Sequence, residues 1–202
     1  MGADGGGGGG RGSSSESSNG RGVGHGEAAI VKTVAGVQWP DEAATQAFAQ
    51  RLAVQPLIRN AFIELKGALG AGKTTFVRHL LRALGVQGRV KSPTYAVVEP
   101  YELDQFNIWH FDFYRFNDPR EWTDAGFRDL FASTGLKLAE WPQNAGGQLP
   151  LADLEIELAV LPDESRSATL TAHTVTGVAL LQGAGALPSA STTPAAPPGE
   201  AA

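Results

Sequence analysis

The chain has 202 residues, a formal net charge of -5 and no cysteine. Disulfides, zinc–cysteine sites and cysteine nucleophiles are therefore excluded. Mild acidity argues against a free-standing nucleic-acid binder, and the lack of a signal-like N-terminus or membrane-length apolar run leads us to expect a soluble, cytoplasmic protein.

Residues 1–26 contain twelve glycines, with serines and almost nothing apolar between them. Such a head cannot build a core and is expected to be disordered. The same holds for residues 183–202, an Ala/Pro/Ser/Thr stretch without periodicity. Residues 27–182 remain as one domain of ordinary size.

Within that domain, Ile30 to Val37 alternates weakly as a first strand. Asp41 then caps a helix from Ala43 to Leu57, with Phe48, Leu52 and Leu57 on its inward stripe. The apolar run Ala61 to Leu65 predicts a buried strand and leads into Gly67-Ala68-Leu69-Gly70-Ala71-Gly72-Lys73-Thr74, a full match to G-x-x-x-x-G-K-[ST]. Glycines let the backbone curl until successive N–H groups point at an anion, and the helix that follows adds its positive end at the same place. A nucleoside triphosphate fits this cradle, with Lys73 on the β- and γ-phosphates and the Thr74 hydroxyl on a bridging Mg²⁺. The competing reading is a plain glycine-rich turn between strand and helix.

The helix of the loop is expected from Lys73 to Leu84, stopped by Gly85. Tyr95–Tyr101 and Phe106–Phe111 follow as strands of a hairpin. Asn117-Asp118-Pro119-Arg120-Glu121 carries the signals of a helix start, predicting a helix to about Ala132. Leu136 to Ala139 alternates as a strand, and Leu154–Leu161 and Ala168–His173 supply two more. This order implies a three-layer α/β fold of P-loop NTPase type, its central sheet mainly parallel with antiparallel additions.

A nucleotide-bound Mg²⁺ needs a carboxylate from the C-terminal end of a strand beside the loop. Asp112 and Glu140 each end a strand, so one could hold the metal and the other orient the attacking water. Ser92 and Thr94 lie where nucleotide switches place a hydroxyl that senses the γ-phosphate, or else in a solvent-facing turn. His79 and His110 read as packing or surface histidines, and Trp109, Trp122 and Trp141 as core or site-wall aromatics.

Four segments together, Gly67–Phe76, Val90–Tyr95, His110–Arg115 and Glu140-Trp141-Pro142, closely resemble the bacterial TsaE (YjeE) ATPase family over about Val37 to Thr174. The resemblance implies a small ATPase in the biosynthesis of threonylcarbamoyladenosine in tRNA. It also implies that the chain acts with two partner proteins, TsaB and TsaD, meets tRNA through that complex, and uses ATP and Mg²⁺ as cofactors. By the same resemblance Gly70, Ala71, Gly72, Lys73, Thr74 and Thr75 bind the phosphates, with Thr75 on the α-phosphate. Thr74 and Glu140 hold Mg²⁺, Asp112 supports metal or water, Thr94 acts in a switch-like loop, and Glu42 and Thr45 approach the nucleotide. Two rivals use the same cradle: a small-molecule kinase, and a non-catalytic scaffold held together by ATP. A guanine-nucleotide switch is disfavoured, because no [NT]-K-x-D motif occurs.

Overall fold

The structure is a computed structural model that describes residues 30–93, 97–116 and 126–188. Its centre is a seven-stranded sheet in the order β1-β7-β6-β2-β5-β4-β3. In chain order the elements are β1 (Ile30–Trp39), α1 (Glu42–Ala53), β2 (Phe62–Gly67), α2 (Lys73–Ala83), β3 (Val98–Glu102), β4 (Asn107–Asp112), α3 (Phe127–Ala132), β5 (Leu136–Glu140), β6 (Leu154–Val160), β7 (Arg166–Thr174) and α4 (Val175–Gly183). Strands β6, β2, β5 and β4 run parallel to one another, while β7, β1 and β3 are antiparallel to their neighbours. The expected parallel centre with antiparallel additions is present, and the additions flank both edges.

Helices α1, α2 and α4 pack on one face of the sheet over a core that includes Phe48, Leu52, Ile63, Leu65, Phe76, Leu80, Ile156, Leu170 and Leu180. Each such large side chain contributes about 1.5–3 kcal/mol by leaving water. A second cluster on the opposite face joins Phe62, Phe111, Phe113 and Phe116 to Phe127 of α3. Strand β5 lies between these layers and is buried at all its positions.

Asp41 caps α1 as expected, accepting from the Ala44 N–H at 2.8 Å, an arrangement that stabilises a helix by about 1 kcal/mol. The helix is shorter than its apolar stripe suggests. It ends at Ala53, and Pro56 opens a separate 3₁₀ turn, Pro56–Asn60, because proline cannot donate to the preceding helical turn. Leu57, expected to face inward, is consequently 49% exposed, and Ile58 takes the buried place.

The alternation Leu136-Lys137-Leu138-Ala139 suggests a half-solvated strand, yet Lys137 is buried with its neighbours. Its ammonium donates to the Ser133 carbonyl and lies 5.3 Å from the Trp109 ring centre. The aliphatic stem of lysine permits this placement while the carbonyl satisfies the charged tip. The single helix expected from Asn117 to about Ala132 does not run through Gly126, which is left-handed at φ of +67° and caps a new, short helix α3, while residues 117–125 lie outside the described residues.

Helix α4 has no counterpart among the sequence expectations. Val175-Thr176-Gly177-Val178-Ala179-Leu180-Leu181 is apolar on nearly every side, so it lacks the period that marks an amphipathic helix. Thr174 caps it, accepting from the Gly177 N–H at 3.2 Å and donating to Asp153. The packed unit also runs past residue 182, where the tail was expected to begin. Ala184 is fully buried, and Ala186 and Leu187 pack against the core.

Candidate functional site

Strand β2 delivers the chain to the phosphate loop, and two glycines have specific reasons to be there. Gly67 has φ of +128°, and a Cβ on it would lie 2.3 Å from the Leu158 carbonyl oxygen of β6. Gly72, at φ +109°, is the left-handed residue from which α2 departs. L side chains disfavour both conformations. Beyond them, Lys73 and Thr74 stand in the first turn of α2, where unpaired N–H groups and the helix dipole favour an anion.

Lys73 is buried, and its Nζ donates to the carbonyls of Gly67 and Ala68 at 2.8 Å each. It also lies 4.0 Å from the centre of the Trp141 ring. Burial pushes its amine below the ordinary value, while the carboxylates of Glu140 and Asp112 oppose that shift. Trp141 has φ of 58°, an unusual conformation for a bulky residue. Its N–H donates to the Leu65 carbonyl at 3.2 Å and its ring packs against Tyr114. These contacts hold Trp141 as a wall of the site.

The two acidic residues arrive by strand register. Asp112 pairs with Glu140 across the parallel strands β4 and β5, which places both carboxylates side by side at the C-terminal edge of the sheet. Glu140 is buried and accepts from the Thr74 hydroxyl at 2.9 Å through Oε2. Its Oε1 lies 2.9 Å from Nε2 of His110, which is also fully buried. Asp112 accepts from the Ser92 hydroxyl, and from the Tyr114 N–H at 2.9 Å. Thr94 lies outside the described residues.

Two cavities meet at Gly72 and Thr75. One, of about 280 Å³, is lined by Gly70, Lys73, Thr74, Ser92, Asp112, Tyr114, Glu140 and Trp141. The other, of about 180 Å³, is lined by Trp39, Asp41, Glu42, Thr45, Ala71, Leu158, Glu164 and Arg166. Glu42, its Oε1 2.9 Å from His79 Nε2, and Thr45 therefore belong to the second cavity rather than to the acidic cluster. The first cavity offers a cation, helical N–H groups, hydroxyls and carboxylates, a donor set suited to a phosphate chain and a hard divalent ion. Among the described residues no group of three or more His, Asp or Glu forms a ready-made metal cage. A metal here would take Thr74, a carboxylate and oxygens of its ligand.

Sequence reasoning left His110 and Arg166 out of the site. The first looks like any strand histidine until β4 and β5 are paired, and the second precedes the run from which β7 was expected. The Ser92 hydroxyl, for which a solvent-facing turn was the alternative, lies on Asp112.

Residues 39–168 match the model of the family described as threonylcarbamoyl adenosine biosynthesis protein TsaE. The chain belongs to the TsaE family. It is 44% identical over 115 residues to the tRNA threonylcarbamoyladenosine biosynthesis protein TsaE of Haemophilus influenzae, covering 57% of this chain and 72% of that protein. The TsaE of Treponema pallidum is 33% identical, with 56% of this chain and 84% of the relative covered. In fold, the chain is similar to the crystal structure of Bacillus subtilis YdiB, with a TM-score of 0.59 and 24% identity over 78% of this chain and 96% of that one. No helix among the described residues is long and apolar enough to cross a membrane.

Proposed function

We propose that this chain, like the TsaE proteins it resembles, serves the biosynthesis of threonylcarbamoyladenosine in tRNA by binding and hydrolysing ATP-Mg. It does so in complex with partner proteins resembling TsaD and TsaB. The observation that carries this reading is the Thr74 hydroxyl bonded to Glu140 at the mouth of the phosphate loop, with Asp112 in register beside it. A loop that only bound an anion would have no use for two carboxylates there, since they repel it.

On this reading Lys73, now bonded to two loop carbonyls, would turn to the phosphate oxygens of the nucleotide, and the N–H groups at the start of α2 would bind the same anion. Thr74 and Glu140 would hold Mg²⁺, which when bound would supply neutralising charge to the phosphates. Asp112, fixed by Ser92 and the Tyr114 N–H, accepts from the attacking water and orients it. Trp141 keeps the Lys73 ammonium directed at the loop and limits access of bulk water. Charge on the transferring group is met by Arg115 or by a partner's side chain, and the second of these would make turnover partner-dependent.

Two measurements test the proposal. ATP turnover should rise when the two partner proteins are added, and equal rates with and without them would defeat partner activation. Reconstituted tRNA threonylcarbamoylation should need this chain for multiple turnovers and fail with Lys73→Ala. Repeated turnover in its absence would remove the assigned role.

A further inference from the structure

The two faces of the sheet are covered unequally. Helices α1, α2 and α4 lie over one face, while on the other α3 packs through Phe131 and Phe127 on Phe62 of β2 and Phe111 of β4. Strands β6, β7 and β1 send Ile156, Leu170 and Val37 into the helical core, so alternation puts Glu155, Thr171 and Val34 on the opposite face. The register sets that face out in two rows: Val34, Thr171, Glu155 and Glu64, then Gly36, Thr169, Glu157 and Lys66. Val34 is 53% exposed, Gly36, Glu157 and Thr169 are exposed as well, and a Cβ on Gly36 would meet nothing within 4 Å. A sheet that is parallel at its centre normally carries helices on both faces. Among the described residues, these rows carry none.

Strands β2 and β6 put three carboxylates there, Glu64, Glu155 and Glu157, around one ammonium. Lys66 Nζ donates to Glu155 at 2.8 Å and lies 3.7 Å from Glu64. His173 Nε2 is 3.5 Å from Glu155, and Lys32 stands on β1, two strands away from β6. Among the described residues no cation pairs with Glu157. Glu64 and Glu155 are direct neighbours across the parallel pair, where like charges repel. Burial pushes the Glu64 carboxyl above its ordinary value, and Glu155 pushes the same way against the pull of Lys66. One lysine therefore leaves the patch short of positive charge, and a further cation placed there would be stabilised.

Shape and charge together select what covers this face. Gly36, Thr169 and Thr171 keep the β1–β7 side low beside the carboxylates of β6 and β2. A helix about 10 Å across spans two strands spaced about 4.8 Å apart, and lysine or arginine can lay an aliphatic stem over Val34 and Thr171 while the charged end reaches the acids. Nucleic acid is repelled by the same charge. The ends of the chain do not supply the cations: residues 1–29 carry two arginines against three carboxylates, and residues 189–202 carry one glutamate and no lysine or arginine. We propose that the open face of β1, β7, β6 and β2 is a docking surface for a basic amphipathic helix of a partner protein, which sets lysine or arginine among Glu64, Glu155 and Glu157. Neither cavity at the phosphate loop includes these residues, so the docking surface stands apart from the nucleotide reading.

The chain has no cysteine, so Val34→Cys carries a single fluorophore onto this face of the full chain, and Val54→Cys, at an exposed residue that ends α1, carries one away from it. The probe is a synthetic helical peptide of about 18 residues with lysine on one face and alanine and leucine on the other, beside the same peptide with glutamate in place of lysine. The lysine peptide should change the signal at Val34→Cys and not at Val54→Cys, and the glutamate peptide should change neither. In the unlabelled chain, calorimetry should show Glu157→Gln weakening the lysine peptide about threefold, and Glu155→Gln with Glu157→Gln about tenfold. Unchanged urea midpoints in these variants separate lost docking from lost folding. No binding of the lysine peptide, equal binding of both peptides, a matching signal at Val54→Cys, or unchanged affinity in the double variant would overturn the proposal. So would a Val34→Cys signal that grows with protein concentration alone, since a second copy would then occupy the face.

Discussion

The Thr74 hydroxyl and the Glu140 carboxylate are 66 residues apart in the chain and 2.9 Å apart in space. Their contact joins the first turn of α2 to the end of β5, the two places from which a nucleotide-bound cation is held in P-loop enzymes. His110 and Asp112 extend it into a continuous polar row across β4 and β5.

Glu140→Gln keeps the shape of the side chain and removes its charge. In a water-poor site, loss of one charge from the reacting region costs about 100-fold or more in rate. We expect ATP turnover with partners to fall by that amount while ADP affinity changes less than about threefold. Steady-state kinetics beside calorimetry gives both numbers, and full activity in the variant would remove Glu140 from the chemistry.

His110 orients Glu140 from inside the protein. Its Nε2 faces Glu140, and among the described residues its buried Nδ1 has no partner, so the proton is best placed on Nε2, leaving only a lone pair unsatisfied. Groups behind a metal ligand are worth about 10–100-fold in metal affinity. His110→Phe fills similar space without a donor, and the Mg²⁺ concentration for half-maximal activity should rise about tenfold, with His110→Gln restoring part of it. An unchanged Mg²⁺ dependence in His110→Phe would reduce His110 to a packing residue.

Lys73 links binding to pH. Burial lowers its pKa from the ordinary 10.5 in the free protein, and a phosphate chain beside it stabilises the charged form and raises the pKa again. Binding therefore takes up a proton wherever pH lies between the free and bound values. ADP affinity should fall as pH rises through this window below 10.5. Calorimetry in two buffers of different ionisation enthalpy reads the proton uptake directly. An affinity independent of pH up to the ordinary lysine range would show that Lys73 does not meet the phosphates.

Gly177 is a packing constraint away from the site. A Cβ there would lie 1.9 Å from the Asp153 carbonyl oxygen and 3.1 Å from the Ala172 Cβ. Gly177→Ala forces α4 away from β7 and should cost about 3 kcal/mol of stability, measured by urea unfolding. Nucleotide affinity of the folded fraction should be unchanged, because neither cavity includes α4.

Much of the site is legible along the chain because its parts are local. The strand-loop-helix around Gly67–Thr74 and the cap at Asp41 each fall within a few residues, where backbone geometry and nearest neighbours decide conformation. Asp112 and Glu140 are visible as acids that end strands, since alternation marks where a strand stops. Other features depend on which strands become neighbours. Lys137 is buried because β5 is an interior strand of the sheet, α4 is apolar on nearly every side and packs against β7, and His110 gains its role only when β4 and β5 come into register. Arg166 reaches the phosphate loop for the same reason: a hairpin folds back beside a turn almost a hundred residues earlier. Periodicity and turn chemistry act over a few residues and can be read from residue types alone. Pairing over long separations is chosen by how the whole chain buries its apolar surface, and no short window contains that choice.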